Sequence, residues 1–325
     1  MLALFQQVGG NKEVGGRKPP AFNKVKMMID LQNKEGLEFL ATVESNTVDL
    51  VLVDPPYIIS KDSGMDKWVS HVANQDTPGA KNARTEKQWE KYSQKRKLSE
   101  LASKDKKYKL ETFKKNYLKY GSIYGKKYAV TTDYGKWDSE FTMEQLEAFI
   151  GEFYRVLKPG GTCIVFFDLW KITSLKDTLE SVKFKQIRFV EWIKTNPIPI
   201  NQHINYLSNA REIALTAVKK GKPTFNSKYD RGIYEYPVQN GKDKIHKNQK
   251  SLPLFEELVL KHTNEGDLVL DCFAGSATTA IACINTDRNF VGCELNKQYY
   301  KKASKRVADR QQLRALSSVV RAAGS

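Results

Sequence analysis

Two short clusters carry residue types suited to chemistry. The first is Asp54-Pro55-Pro56-Tyr57, which closes the apolar run Thr47-Val48-Asp49-Leu50-Val51-Leu52-Val53. The run predicts a strand buried on both faces, and two prolines cannot continue its ladder. Pro55 also biases Asp54 toward an extended backbone. An acid and an aromatic ring are thereby held on a stiff turn at the carboxyl end of a strand, where open α/β sheets place their ligands. The second cluster follows a short apolar strand and reads Asp271-Cys272-Phe273-Ala274-Gly275-Ser276-Ala277-Thr278. Gly275 permits close backbone approach, and the helix expected next offers unpaired N–H groups at its start. About twenty residues on, after a strand at 289–293, Glu294 stands where dinucleotide-binding folds hold ribose hydroxyls.

The elements that must position these clusters alternate. Strands are expected at 25–30, 48–53, 162–167, 187–192, 212–218, 268–271 and 289–293. Helices are expected from Gly36 and over 142–157, 174–182, 253–262, 276–284 and 297–312, with Thr142-x-x-Gln145 as a capping box. Pro159-Gly160-Gly161 reads as a turn. This pattern defines an α/β fold with a Rossmann-like, mostly parallel sheet interrupted by a basic, largely helical insertion. The catalytic domain is assigned to 23–57 and 137–312, the insertion to 58–136, and a polar surface excursion to 219–250. Residues 1–22 and 313–325 read as tails without pattern.

Charge is concentrated in the insertion. Residues 61–136 hold 19 Lys and Arg against 9 Asp and Glu, so most of the net +16 sits there. Such a balance favours an acidic partner, above all nucleic acid. Thr85-x-x-Gln88 is a second capping box, and Trp89, Tyr92, Phe113, Tyr117 and Tyr120 recur at helical spacing. These rings, with Trp68, Tyr108, Tyr124, Tyr128 and Tyr134, suit a small core under a charged face or a nucleic-acid surface, two readings that are compatible. Lys61, Lys67, Arg84, Lys95, Arg96, Lys97, Lys114 and Lys115 are the candidate phosphate contacts. The four cysteines have neither disulfide nor metal spacing, and no metal site is expected. His71, His203, His246 and His262 form no triad or metal pattern. No run is long enough to span a bilayer, and Met1–Phe5 is too short for a signal core, so a cytoplasmic protein is expected.

Taken together, these residues resemble the beta class of S-adenosylmethionine-dependent DNA amino-methyltransferases, in which Asp-Pro-Pro-Tyr precedes Phe-x-Gly in a circularly permuted motif order. Glu35-Gly36-Leu37-Glu38-Phe39-Leu40, Leu157-Lys158-Pro159-Gly160-Gly161 and His246-x-x-Gln249-Lys250-Ser251-Leu252 are further landmarks. Cys272 and Ser251 stand where the family often has proline, Ala277 where it has a second glycine, and Glu35 where it has aspartate. The resemblance implies methyl transfer from S-adenosylmethionine to the N6 amine of a flipped-out adenine, with S-adenosylhomocysteine as product. Asp54 and the Pro55 carbonyl would accept the amine hydrogens, Pro56 would stiffen the turn, and Tyr57 would stack on the base. Phe273 and Gly275 would line the cofactor pocket beside Asp54 and Asp271. Ser276, Thr278 and Lys250 would address the carboxylate end, Glu294 the ribose and Glu35 the adenine amino group, with Ser251 and Asn296 as further cofactor-binding residues.

N4-cytosine methylation remains open, although that group more often carries serine in place of Asp54. RNA or protein amide methylation and a non-catalytic DNA-binding module are the other readings. Duplex DNA is the expected partner, with room for a separately acting restriction endonuclease and for a homodimer. The segment 219–245 is expected to help read the DNA sequence.

Overall fold

The computed structural model describes residues 27–57, 84–96, 98, 109–123, 141–197, 209–239, 244–245 and 249–323. One sheet contains β1 Ile29–Gln32, β2 Val48–Val53, β3 Leu157–Phe167, β4 Lys185–Lys194, β5 Arg211–Val218, β6 Ile233–Tyr236, β7 Leu268–Asp271 and β8 Asn289–Cys293. Their spatial order is β1-β8-β7-β2-β3-β5-β4-β6. β5 runs antiparallel to β3 and β4, and the other pairs are parallel. The expected mostly parallel sheet is therefore present.

Helices α1 Gly36–Leu40, α4 Met143–Val156 and α5 Ile172–Ser181 cover one face, and α6 Leu252–His262, α7 Thr278–Thr286 and α8 Lys297–Ala323 cover the other. The β2 side chains divide between them. Val51 and Val53 pack with Phe39, Phe149 and Leu175, whereas Leu50 and Leu52 pack with Phe255, Ile281 and Val307. A strand covered on both faces is apolar along its buried length, which is why β2 shows no polar alternation from Leu50 to Val53; Asp49, near its start, is partly exposed and paired with Lys158 at 2.7 Å. Each such side chain contributes about 1.5–3 kcal/mol on leaving water.

Within the insertion, α2 Glu86–Lys95 and α3 Leu110–Tyr120 form a helical pair. Thr85 and Gln88 close the expected capping box at the start of α2. Trp89, Leu98, Phe113, Tyr117 and Ile123 make a small separate core, with Tyr92 stacked on Tyr117 at 4.4 Å. Of the two roles open to these rings, a core is the one observed for Trp89, Phe113 and Tyr117. Trp68, Tyr108, Tyr124, Tyr128 and Tyr134 lie outside the described residues, as do the tail 1–22 and His71, His203 and His246.

Four expectations are corrected. The first strand lies at Ile29–Gln32, later than 25–30, because its register is set by parallel pairing of Ile29 with Phe290 and Gln32 with Cys293. β3 begins at Leu157, so the Pro-Gly-Gly segment belongs to the strand, at a register shift against β2. The segment 219–250 is not wholly a surface excursion, since β6 pairs with β4 and Tyr234 is buried. It is pinned by Lys261, which bridges Asp230 and Glu257 at 2.5 Å each. Finally, α8 continues to Ala323 where a patternless tail was expected. Leu313 and Leu316 are exposed there, so strong helix formers, not an inward apolar face, carry the helix onward. No helix among the described residues is long and apolar enough to cross a membrane.

Candidate active site

β2 and β7 are direct neighbours, paired at Leu50 with Val269 and Val51 with Leu270. The two clusters, far apart in the chain, therefore emerge side by side at the carboxyl edge of the sheet.

At the end of β2, Asp54 Oδ2 accepts from Lys250 Nζ at 2.8 Å. Asp54 Oδ1 and the Tyr57 hydroxyl are buried, and neither has a partner at hydrogen-bonding geometry among the described residues. Tyr57 meets Phe167 edge-on, with ring centroids 6.3 Å apart. The Lys250 ammonium stands over the Tyr57 ring at 5.5 Å and over Phe166 at 5.4 Å. Burial pushes the Asp54 carboxyl up to about 6, against the opposing pull of Lys250. At neutral pH it is mainly ionised. Burial would depress Lys250, but the carboxylates of Asp54 and Glu212 hold its pKa well above the usual lysine range.

At the end of β7, Asp271 braces the second turn. Its Oδ1 accepts from the Phe273 N–H at 2.9 Å and its Oδ2 from the Thr279 hydroxyl at 2.6 Å. Gly275 adopts a left-handed φ of +51° and donates its N–H to Glu294 Oε2 at 2.8 Å. The other oxygen of Glu294 accepts from the Asn296 N–H at 2.7 Å. Gly292 in β8 allows this close packing, since a Cβ there would stand 2.2 Å from the Asp271 carbonyl oxygen. Phe273 packs against Phe149 and Phe141. Gly36 lies next to the same turn, 3.6 Å from the Cys272 carbonyl at its would-be Cβ, which brings Glu35 beside it. Glu35 caps α1 by accepting from the Glu38 N–H at 2.9 Å.

Several expected contacts are arranged differently. Lys250 is turned to Asp54 and Glu212, where a partner for the cofactor's carboxylate was expected. Ser276 and Thr278 are buried and hydrogen-bonded to each other at 3.0 Å, with Arg306 donating to the Ser276 carbonyl. Ser251 is 1% exposed at the start of α6. Asn296 uses its side-chain oxygen to cap α8, accepting from the Gln298 and Tyr299 N–H groups. Ala277, where the family often has glycine, takes a left-handed φ of 58°. Sequence reasoning missed Glu212, Lys194, Thr279 and Arg306 as site residues. An acid opening the apolar stretch Ile213–Val218 was the one signal for Glu212.

Among the basic candidates, Lys95, Arg96 and Lys115 are exposed. Arg96 lies over the Tyr92 ring at 5.6 Å, Lys114 pairs with Glu86 at 2.8 Å, and the Arg84 N–H donates to the Leu118 carbonyl. Lys61, Lys67 and Lys97 are outside the described residues. No group of His, Cys, Asp and Glu among the described residues is arranged to hold a metal ion.

The sheet order and the paired turns define an α/β methyltransferase architecture, and comparison with known proteins agrees. A family model described as DNA methylase, covering N6 and N4 amino-methyltransferases, matches residues 48–305. The chain belongs to this N6/N4 DNA methylase family. It is 26% identical over 313 residues to the Type II methyltransferase M2.DpnII of Streptococcus pneumoniae, covering 89% of this chain and 92% of that one. It is 32% identical over 203 residues to M2.LlaDCHI of Lactococcus lactis subsp. cremoris, covering 55% and 73%. The crystal structure of M1.HpyAVI aligns with a TM-score of 0.51 at 26% identity, covering 86% of this chain and 98% of that one. PvuII DNA methyltransferase, described as cytosine-N4-specific, aligns at 0.55 with 13% identity over 89% and 93%, a likeness of fold alone.

Proposed function

We propose that the protein methylates the N6 amine of a flipped-out adenine in duplex DNA, with S-adenosylmethionine as donor. One observation carries the reading. Asp54 has one oxygen secured by a buried lysine and the other buried with no partner at hydrogen-bonding geometry among the described residues, the Tyr57 hydroxyl being near enough to help hold the carboxylate.

An exocyclic amine is a weak nucleophile because its lone pair is conjugated with the base. Acceptors aimed at its N–H bonds draw the nitrogen toward tetrahedral geometry and strengthen as positive charge develops on it, which is selective stabilisation of the transition state. Asp54 Oδ1 and the Pro55 carbonyl are assigned that role, and Tyr57 the stacking face. Flipping the base out of the duplex costs a few kcal/mol, offset by these contacts. Asp54 need not be a strong base, since the N–H turns acidic only once the nitrogen has been alkylated.

The residues at the second turn suit a cationic, hydroxylated nucleoside. Glu294 is fixed by two backbone N–H groups, a Cβ at Gly275 would meet only the Phe273 carbonyl at 3.8 Å, and Phe273 supplies an apolar wall. When bound, S-adenosylmethionine supplies an electrophilic methyl on sulfur and leaves as S-adenosylhomocysteine. Glu294 would hold the ribose, Phe273 the nucleoside and Glu35 the adenine edge.

The relatives from Streptococcus pneumoniae and Lactococcus lactis are Type II methyltransferases, and we infer that this one likewise protects cytoplasmic DNA against a separately acting endonuclease. The exposed cations of α2 and α3 supply phosphate contacts. Incubation with tritiated donor and plasmid DNA, followed by nucleoside analysis, tests the reading: label in N6-methyladenine is expected. Label in N4-methylcytosine, or only in RNA or protein, would overturn it.

A further inference from the structure

Beneath Asp54 runs an alternating row of charges. Asp54 Oδ2 meets Lys250 at 2.8 Å, Lys250 meets Glu212 Oε2 at 2.6 Å, and Glu212 Oε1 meets Lys194 at 2.8 Å. The side chains of Lys250, Lys194 and Glu212 are only 8, 14 and 19% exposed. Replacing such buried ion pairs by apolar side chains of similar volume is often neutral or stabilising, so the fold alone does not explain the row. Its members come from separate elements. Asp54 ends β2, Lys250 stands at the entry to α6, and Glu212 and Lys194 lie on the antiparallel pair β5 and β4, where Glu212 opposes Trp192. Aromatic rings wall the row: Tyr57 and Phe166 flank Lys250, and Trp192 lies under Lys194 at 5.5 Å.

We propose that Lys250 and Glu212 are positioning residues for methyl transfer: Lys250 fixes Asp54 Oδ2 so that Oδ1 is left for the target amine, and Glu212 shares the ammonium so that Asp54 remains a strong acceptor. The inference rests on the methyl-transfer reading and gives Lys250 a task other than the cofactor's carboxylate. A carboxylate paired one-to-one with a buried ammonium has its charge neutralised locally. A second carboxylate on the same ammonium restores part of it. The electrostatics agree, since burial raises the Asp54 carboxyl, Lys250 lowers it and Glu212 raises it again. The groups facing Asp54 are Tyr57 from its own turn, Lys250 from the α6 entry, Glu212 backed by Lys194 from β5 and β4, and Asp271 from β7.

Two neighbouring substitutions should then move Asp54 in opposite directions. In the free protein with 13C-labelled aspartate, Lys250→Met should raise the Asp54 titration midpoint by about 1 pH unit or more, and Glu212→Gln should lower it. Asp54→Asn assigns the signal. S-adenosylhomocysteine affinity by calorimetry should stay within about threefold of wild type in both. The acid limb of single-turnover methylation should follow the same opposite shifts, and Lys250→Arg should restore part of the rate. If Lys250→Met does not fold, the Lys250→Met/Glu212→Gln double variant removes an opposite pair and should still titrate above wild type. Unmoved midpoints in both single variants would overturn the proposal. So would a more than tenfold loss of S-adenosylhomocysteine affinity in Lys250→Met with Asp54 unchanged. Opposite midpoint shifts in the two variants, together with a wild-type protein that methylates no adenine, would instead overturn the functional reading, and with it the assigned role.

Discussion

Asp54 and Asp271 end neighbouring parallel strands, and burial raises both carboxyls, to about 6 and about 7. Their partners differ. Asp271 spends both oxygens on its own turn, on the Phe273 N–H and the Thr279 hydroxyl. Asp54 gives one oxygen to a lysine distant in sequence, and its other oxygen has no partner at hydrogen-bonding geometry among the described residues. The Asp54 side chain is 24% exposed and Asp271 is buried, so a similar upward shift accompanies a brace in one place and, in the proposed reading, an acceptor in the other. Desolvation alone does not mark a catalytic acid. In the proposed reading, what sets Asp54 apart is a buried oxygen left over among the described residues once the local hydrogen bonds have been counted.

The sharpest way to break this comparison is to remove each carboxyl in turn. Asp54→Ala is expected to slow single-turnover methyl transfer by about 10²–10³-fold or more, the usual cost of losing such an acceptor, while S-adenosylhomocysteine affinity changes less than tenfold. Turnover above roughly a hundredth of wild type would refute the acceptor role. Asp271→Ala should act the other way round. It strands a backbone N–H and a hydroxyl in the interior, so stability should fall by on the order of 3 kcal/mol, read from denaturant midpoints. A stable but inactive Asp271→Ala protein would erase the distinction between brace and acceptor.

The same carboxyl gives a pH signature. Its folded pKa of about 7 lies above the ordinary 3.8, so the native state holds the extra proton between these values. Its contribution to stability is therefore full below about 4 and is lost as pH rises toward 7. His262, buried neutral with its pKa lowered to about 4, acts in the opposite sense up to about 6.5. Asp271→Asn should remove its part of the first slope, most visibly between about pH 6 and 7 where the raised Asp54 carboxyl no longer contributes, and leave the second, which unfolding at pH 5, 6, 7 and 8 would reveal. Parallel pH profiles for variant and wild type would count against a protonated Asp271.

Gly275→Val probes the cofactor turn without touching either acid. A β-branched residue at φ +51° is strained by about 1–2 kcal/mol, so S-adenosylhomocysteine should bind roughly tenfold more weakly, with DNA affinity little changed. The smallest effect is expected in the insertion. Replacing Lys95, Arg96 and Lys97 by alanine should lower the slope of log affinity against log salt by nearly one for each phosphate no longer neutralised, for cognate and random DNA alike. An unchanged slope would reduce that run to a solvated helix end.

What the residues determined by themselves is local. Capping boxes at Thr85 and Thr142 join groups three residues apart, and both formed as read. The apolar run into Asp-Pro-Pro, the β7 and β8 strands and the helical spacing of the insertion's rings are likewise short-range, because hydrogen-bond and side-chain periods repeat within four residues. Tertiary structure decided the rest. Sheet order set β2 beside β7, and β6 joined the sheet through a partner strand that its own four residues do not announce. Lys250 and Glu212, 38 residues apart, meet only because the α6 entry and β5 converge under the Asp54 turn. An ammonium near a nucleotide pocket suggests an anionic ligand when read along the chain. Which carboxylate it serves depends on distance in space, and at a few ångströms in a dry interior that distance settles the pairing.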